Sequence, residues 1–317
     1  MQVYNDEIVG NTIELLGQKI DLFNAASGGS ILLNAATFSG NFSKESFFNQ
    51  IASAQRRVDR FATNAAQAAT VLSQGEMVGV KVAGGFGPVL FEPSQLTYLQ
   101  EDAGSAITAI SEGFADALLA DQLNTAVGCG VAAVENIAAL KNDVSGSAGV
   151  TQGGLNGSHR KFGDMSSILS VDVMTGDVYH RLIDEAITNA NRLFLSTNVQ
   201  VVEILGKLVI VSDIPALFEA GTPNKDKVLS VTQGGIIVDN SSDIVSNLET
   251  SNGKERIETT WQADYTFGVK LKGYAWDVAN GGASPTDAEL FTGSNWDKAV
   301  TDNKHTLGTL LVASADA

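Results

Sequence analysis

From residue 257 to residue 272 the chain alternates almost without a break. Ile257, Thr259, Trp261, Ala263, Tyr265, Phe267, Val269 and Leu271 hold the odd positions. Glu258, Thr260, Gln262, Asp264, Thr266, Lys270 and Lys272 hold the even ones, with Gly268 as the gap. A period of two is that of a strand with one buried face. Such a run extends over roughly 50 Å at ~3.3 Å per residue, about three times an ordinary strand. A compact enzyme rarely needs a strand of that length; a plate-like subunit does.

A second periodicity, of three and four, runs from Gly104 to about Leu140. Ile107, Ile110, Phe114 and Leu118 share one face, Glu112 and Asp116 lie off it, and the stripe drifts through Leu123, Val127, Val131 and Val134. The spacing predicts a long spine helix. Glycine is a poor helix former, so the Gly128-Cys129-Gly130 step is expected to end or kink it. A third pattern, Phe47, Ile51, Ala54, Val58, Phe61, Ala65, Ala68 and Leu72, is a heptad seam. It predicts a helix over 44–72 laid on a partner, with Ser43 as its N-cap and Glu45 in its first turn. That segment carries Arg56, Arg57 and Arg60. They read either as a solvated face pairing locally with Asp59 or as a basic patch docking on an acidic neighbouring subunit. Phosphate binding ranks behind both.

The remaining elements are shorter. Ile13, Leu16, Ile20 and Phe23 predict a short amphipathic helix ended by a flexible Ala25–Ser30 link. Its apolar face needs a partner, its own domain or a neighbour. Val78, Val80 and Val82 alternate with Gly79 and Lys81 ahead of Gly84-Gly85-Phe86-Gly87-Pro88 and Val89-Leu90-Phe91, which predicts a small projecting hairpin outside any core sheet. Residues 142–167 read as a loop. Thr175 caps a helix bearing Asp177, Tyr179, Leu182, Ile183, Ala186, Ile187 and Ala190. Strands follow at Val199–Leu205 and Leu208–Val211, the latter stopped by Ser212-Asp213-Ile214-Pro215. An extended run, Val228–Val238, breaks at Gly234-Gly235, and Leu307–Val312 returns as a strand.

Composition narrows the class. With 317 residues, 44% hydrophobic and 18% charged, the chain has ordinary globular content and length enough for a sizeable core. Twenty basic against 36 acidic residues leave a net charge of −16, which argues against a protein whose task is gripping nucleic-acid phosphates. The lone Cys129, beside two glycines and no cation, reads as a small buried apolar residue and rules out an intrachain disulfide. The first residues lack the basic and apolar regions of a signal peptide, and no run of ~18 apolar residues occurs. A soluble protein made in a cytoplasm is the expectation.

Each catalytic template fails. There is no G-x-x-x-x-G-K-[ST], H-E-x-x-H, C-x-x-C or G-x-S-x-G. Ser251-Asn252-Gly253-Lys254 matches S-x-x-K by letters only, in a polar loop. His159 falls in a Gly/Ser loop, His180 on the polar side of its helix and His305 near the end, so no metal trio is expected. Asp239 and Asp243 flank an Asx-turn composition without EF-hand spacing. No catalytic residue, cofactor or metal is expected. The chain offers an arm, a projecting hairpin, a spine helix and an overlong strand, parts suited to contact with copies of itself.

The order of these parts resembles the major capsid proteins of tailed bacteriophages, the Hong Kong 97 capsid fold. Phe162-Gly163-Asp164, Val173-Met174-Thr175, Leu205–Asp213, Lys272-Gly273-Tyr274-Ala275-Trp276-Asp277, Pro285-Thr286-Asp287 and Asn295-Trp296-Asp297-Lys298 are similar to one subfamily of phage shell proteins. No single motif is specific; the order over residues 5–312 carries the likeness. The resemblance implies an α+β fold with an N-terminal arm (1–43), an extended loop region (44–103), a peripheral domain (104–167 and 236–317) and an axial domain (168–235). It implies a head protein that assembles into hexamers and pentamers of an icosahedral shell around double-stranded DNA, in a virion assembled in the bacterial cytoplasm. Scaffolding, portal and decoration proteins are implied partners, contact with the packaged DNA is at most weak and nonspecific, and no membrane is involved. The chain is too short before Ile13 to hold a fused scaffold, so the expectation is either that any scaffold or protease is another protein or that the chain is already mature. Subunit-interface candidates are Phe23, Arg56, Arg57, Arg60, Lys81, Phe86, Asp213 and Pro215. Some relatives cross-link a loop lysine to a neighbour's asparagine; Lys81 is the only lysine in the expected hairpin, and nothing in the sequence shows that it reacts. An encapsulin-like compartment, or a soluble α+β hydrolase or binding protein, are the alternatives.

Overall fold

The computed structural model describes residues 2–48, 54–63, 66–91, 103–193, 206–240, 243–252, 255 and 257–317. Two β-sheets and a long helix organise them. The first sheet is built from β1 (Ile31–Thr37), β2 (Phe42–Phe48), β3 (Gln74–Phe91), β9 (Ile236–Asn240), β10 (Val245–Ser251), β11 (Glu258–Leu271), β12 (Tyr274–Trp276) and β13 (Trp296–Lys298). These eight strands run in the order β1-β9-β11-β3-β12-β13, with β10 added on β11 and β2 on β3. The second sheet comprises β4 (Lys141–Asp143), β5 (Leu169–Met174), β6 (Leu208–Val211), β7 (Phe218–Glu219), β8 (Lys225–Thr232) and β14 (Gly308–Ser314). Its order is β4-β14-β8-β5-β6, with β7 on β8.

The overlong strand forms as its alternation requires. In β11, Thr259, Trp261, Ala263, Tyr265, Phe267, Val269 and Leu271 are buried, while Gln262 and Asp264 are exposed. The spine helix is α2, Ala103–Glu135, 33 residues without interruption. Its Phe114 lies 5.1 Å from Phe86 and 5.3 Å from Trp261 between ring centroids, so one aromatic cluster joins helix, β3 and β11. Burying such rings stabilises by about 2–3 kcal/mol each. By composition Ile107–Glu135 is apolar enough to cross a membrane, but much of that stretch is buried inside the protein, as in a core helix.

Several expectations change. The helix does not break at Gly128-Cys129-Gly130. A Cβ on Gly128 would lie 2.3 Å from the Phe291 ring, and one on Gly130 would lie 3.0 Å from Ile236 and 3.2 Å from Leu229. These glycines let the spine approach its neighbours, and packing overrides their weak propensity. The hairpin expected at 78–91 is a single 18-residue strand at the centre of the first sheet. Its glycines admit neighbours: a Cβ on Gly84 would meet the Tyr265 ring at 2.5 Å. The real hairpin is one element earlier, β2 against β3 from Phe42↔Val80 to Phe48↔Gln74. Residues 42–48 are therefore strand, not helix, and Ser43 caps nothing. The described parts of 54–73 are exposed and outside regular helix or strand. Val58, Phe61 and Leu72 of the heptad stripe are exposed, and a helix is stable mainly through the face it buries.

The amphipathic N-terminal segment is longer than its pattern implied: α1 spans Gln2–Ala26. It buries Ile8, Thr12, Leu16 and Ile20, leaving Ile13 54% exposed. Its partner is its own chain. Ser111 Oγ of α2 lies 3.2 Å from the Ile8 carbonyl, Lys19 pairs with Asp116, and Trp261 Nε1 donates to Asn5 Oδ1 at 2.9 Å. The expected flexible link is a defined turn with Gly28 and Gly29 at φ 58 and 74. Within the expected 142–167 loop, α3 (Gln152–His159) begins at Thr151, whose hydroxyl accepts from the Gly154 amide at 3.0 Å. Helix α4 (Gly176–Leu193) starts at Thr175 as expected, Leu208–Val211 is strand, and the C-terminal stretch returns as β14. The strand expected at 199–205 lies outside the described residues. Gly234-Gly235 breaks the 228–238 run where the chain leaves the second sheet for the first. Strands β4 and β14, from stretches assigned to the peripheral domain, complete the sheet built by 168–235.

Candidate assembly surfaces

The β2–β3 hairpin presents the residues that connect it. Arg56, Arg57 and Arg60 are exposed. Around them stand Val58 at 64% exposure, Phe61 at 94%, Val71 at 84% and Leu72 at 50%. A lone exposed aliphatic residue is ordinary, but four apolar side chains in one connector alongside three cations form a surface that the described residues leave uncovered. Asp59 folds the segment locally: its Oδ1 accepts from the Phe61 amide at 2.9 Å.

The other candidates, Pro215 apart, have partners within the chain. Phe23 is half-buried against the core. Phe86 is half-buried in the Phe114–Trp261 cluster, centroid to centroid 5.7 Å from Trp261. Lys81 Nζ lies 2.9 Å from Asp243 Oδ2. Asp213 accepts from the Gly176 amide at 2.9 Å and so braces the start of α4. Pro215 opens a short 3-10 turn over 215–217 and is exposed. The structure thus keeps Arg56, Arg57 and Arg60 together and distributes the rest over α1 (Phe23), β3 (Lys81 and Phe86) and the turn after β6 (Asp213 and Pro215).

Sequence reasoning missed two polar clusters because their members are far apart in the chain. His159, read as a loop residue, is buried with its Nε2 3.0 Å from Asp172 Oδ1 and 3.2 Å from Ser230 Oγ. Ser230 Oγ also donates to Asp172 at 2.6 Å. Serine, histidine and aspartate meet, but Ser230 and Asp172 are fully buried and Ser230 bonds the carboxylate directly, so no nucleophile faces a substrate. The second cluster holds the end of the spine. Lys227 Nζ lies 2.7 Å from Glu135 and 2.8 Å from Glu219, and Lys225 Nζ lies 2.9 Å from Glu219. Hydrogen bonds from Lys227 and then Lys225 draw the Glu219 carboxyl down to about 2. Asp239, considered for calcium, is buried against Lys270 at 2.7 Å, and no cluster of metal-ligating side chains occurs among the described residues.

Comparison with known proteins agrees with this picture. The family model of Gp13-like proteins, "Major capsid protein 13-like", matches residues 1–310. No curated protein matches the chain. Among solved structures, the capsid of cyanophage Pam1 is similar with a TM-score of 0.52 and 14% identity, over 88% of this chain and 86% of that one. The capsid of Helicobacter pylori bacteriophage KHP30 gives 0.51 and 8%, over 91% and 88%. Microbacterium phage Oxtober96 gives 0.50 and 10%, over 91% and 90%. At these identities the structures establish the shared Hong Kong 97-type fold, while the family match sets aside the compartment, hydrolase and binding-protein alternatives. The chain belongs to the Gp13-like family of major capsid proteins: it is a structural, non-catalytic head protein of a tailed bacteriophage, built from many copies of itself into the icosahedral shell of the virion.

Proposed function

We propose that the copies form hexamers and pentamers that enclose double-stranded DNA, with the connector of the β2–β3 hairpin reaching onto a neighbouring copy. The observation that carries this is the exposure of Arg56, Arg57, Arg60, Val58 and Phe61 on one connector of a chain whose net charge is −16. A basic, apolar segment finds its complement on an acidic copy of the same protein. Residues 168–235, with β4 and β14 completing their sheet, make the axial part that meets around the capsomer centre. Asp213 and Pro215 lie on that part. The first sheet and α2 make the peripheral part.

The acidic balance limits contact with packaged DNA to weak, nonspecific encounters, since like charges repel at the inner wall. Scaffolding, portal and decoration proteins complete the head, and assembly takes place in the host cytoplasm. Negative-stain microscopy of the overexpressed chain tests the reading. Shells or ring-like capsomers are expected, whereas a persistent monomer across salt conditions and with scaffold present would sink it. Reversing Arg56, Arg57 and Arg60 to Glu is expected to abolish assembly while leaving the fold intact. Undiminished shells from that variant would remove the connector from the interface.

A further inference from the structure

The face of the first sheet opposite α2 carries an apolar cavity of about 230 Å³, lined by Met77, Val78, Ile237, Leu271 and Tyr274. It stays open because Gly79 sits in its wall, where a Cβ would lie 2.5 Å from Lys270 Cγ. A cavity of roughly 150 Å³ accommodates a benzene ring, so this one has room for one aromatic side chain. It adjoins a wider hollow of about 750 Å³, and Gly234 and Lys272 border both.

The two lysines on the rim differ. Lys270 is neutralised by Glu45 at 3.1 Å and Asp239 at 2.7 Å. Lys272 has no carboxylate partner among the described residues; it reaches only Thr232 Oγ1 at 3.5 Å and the Gln233 carbonyl at 3.3 Å. Partial burial lowers its pKa with no nearby carboxylate to oppose the shift. The rim thus holds a half-buried cation awaiting an anion, beside a cavity awaiting a ring.

A short exposed turn of the connector carries both features. Phe61, 94% exposed, and Asp59 are held side by side by the bond from the Phe61 amide to the Asp59 carboxylate. We propose that Phe61 of one copy seats in the cavity between β3, β9 and β11 of a second copy, with Asp59 of the same turn against that copy's Lys272. Exposed Glu45 on the rim then faces the flanking Arg57 and Arg60. The occupant is a second copy because Phe61 stands in solvent in its own chain and the family builds shells from copies of itself. Turn and cavity are different patches of one surface, so the contact is heterologous and repeats head to tail until the ring closes. The proposal rests on the reading that the connector crosses between copies, and it names the residues that receive it.

The test is a full-length chain carrying Phe61→Cys with Met77→Cys, assembled and then oxidised. Cys129 is fully buried and does not compete. A ladder of covalent multimers on a non-reducing gel is expected, absent from either single variant. Shells that form without such a ladder, or with a link confined to one chain, overturn the contact while leaving the assembly reading intact. No shells from the unaltered chain would overturn both. If the double-cysteine chain does not assemble, charge reversal decides. Asp59→Lys and Lys272→Asp are each expected to lower shell yield about tenfold, and their combination to recover most of it. With the single variants folded by circular dichroism, a combination no better than either one overturns the proposal.

Discussion

Tyr265 donates its hydroxyl proton to Asp121 across 2.7 Å, the bond that ties the long strand β11 to the spine helix α2. Burial pushes the Asp121 carboxyl above the usual carboxylate range, the tyrosine bond opposes that shift, and Asp287 adds to it. Tyr265→Phe keeps the ring over Gly84 and removes only the donor. The expected cost is about 1–2 kcal/mol, with the half-buried carboxylate losing its partner. A double-mutant cycle with Asp121→Asn, read by thermal unfolding of the unassembled chain, should give a coupling of about 1 kcal/mol. Additive losses would mean that the two groups do not act together.

Two glycines of α2 should respond in opposite directions to the same substitution. Gly113 is exposed, with nothing within 4 Å of the place an added Cβ would occupy, so Gly113→Ala is expected to stabilise by about 1 kcal/mol through helix propensity alone. Gly128 gains the same propensity, but its Cβ would lie 2.3 Å from the Phe291 ring. Overpacking of about 1–3 kcal/mol outweighs that gain, so Gly128→Ala should lower the unfolding temperature. A rise for both would show that Phe291 moves aside freely.

These contrasts mark what the sequence could and could not tell. The period of two in 257–272 and the helical stripe from Ile107 to Val134 are legible because each buries one continuous face, and β11 and α2 follow them. Glycine-rich β3 read as a turn because glycine signals both tight turns and close approach; only Tyr265 and Lys270, far along the chain, decide between the two. The heptad over 47–72 is a real pattern, but Phe47 lies in strand β2 and Val58, Phe61 and Leu72 are exposed, so the described residues do not bury it as one helical face. Arg56, Arg57 and Arg60 were visible as a basic group among acids. Lys272 was not, since its isolation from carboxylates depends on where Thr232 and Gln233 fold.

Acid should loosen the end of the spine. Glu219 has its carboxyl pulled from 4.5 to about 2 by the bonds from Lys227 and Lys225. Its folded value lies below its unfolded one, so its stabilisation is complete above about pH 4.5 and is lost as pH falls toward 2. The side chain is 42% exposed, so solvent screening holds the effect to about 1 kcal/mol. Glu219→Gln should therefore unfold more easily than the unaltered chain at neutral pH, and the gap should close on acidification. A gap independent of pH would show that charge at Glu219 is not its source.

The buried His159–Asp172–Ser230 cluster gives the sharpest test of what holds the second sheet. It joins the end of α3 to β5 and β8, and Asp172 Oδ2 has no hydrogen-bond partner in the cluster. Removing His159 leaves the buried carboxylate with only the Ser230 bond and the nearby charge of Lys207, and stranding one member of a buried pair costs up to about 3–5 kcal/mol. His159→Ala should therefore be severe. Asp172→Asn removes the charge that needs compensation, so adding it to His159→Ala should recover part of the loss, although the cavity left by the imidazole remains. Thermal unfolding of the single and double variants separates the two causes. Partial recovery identifies the stranded charge as the main cost, whereas a double variant worse than His159→Ala alone would assign it to lost packing and hydrogen bonds.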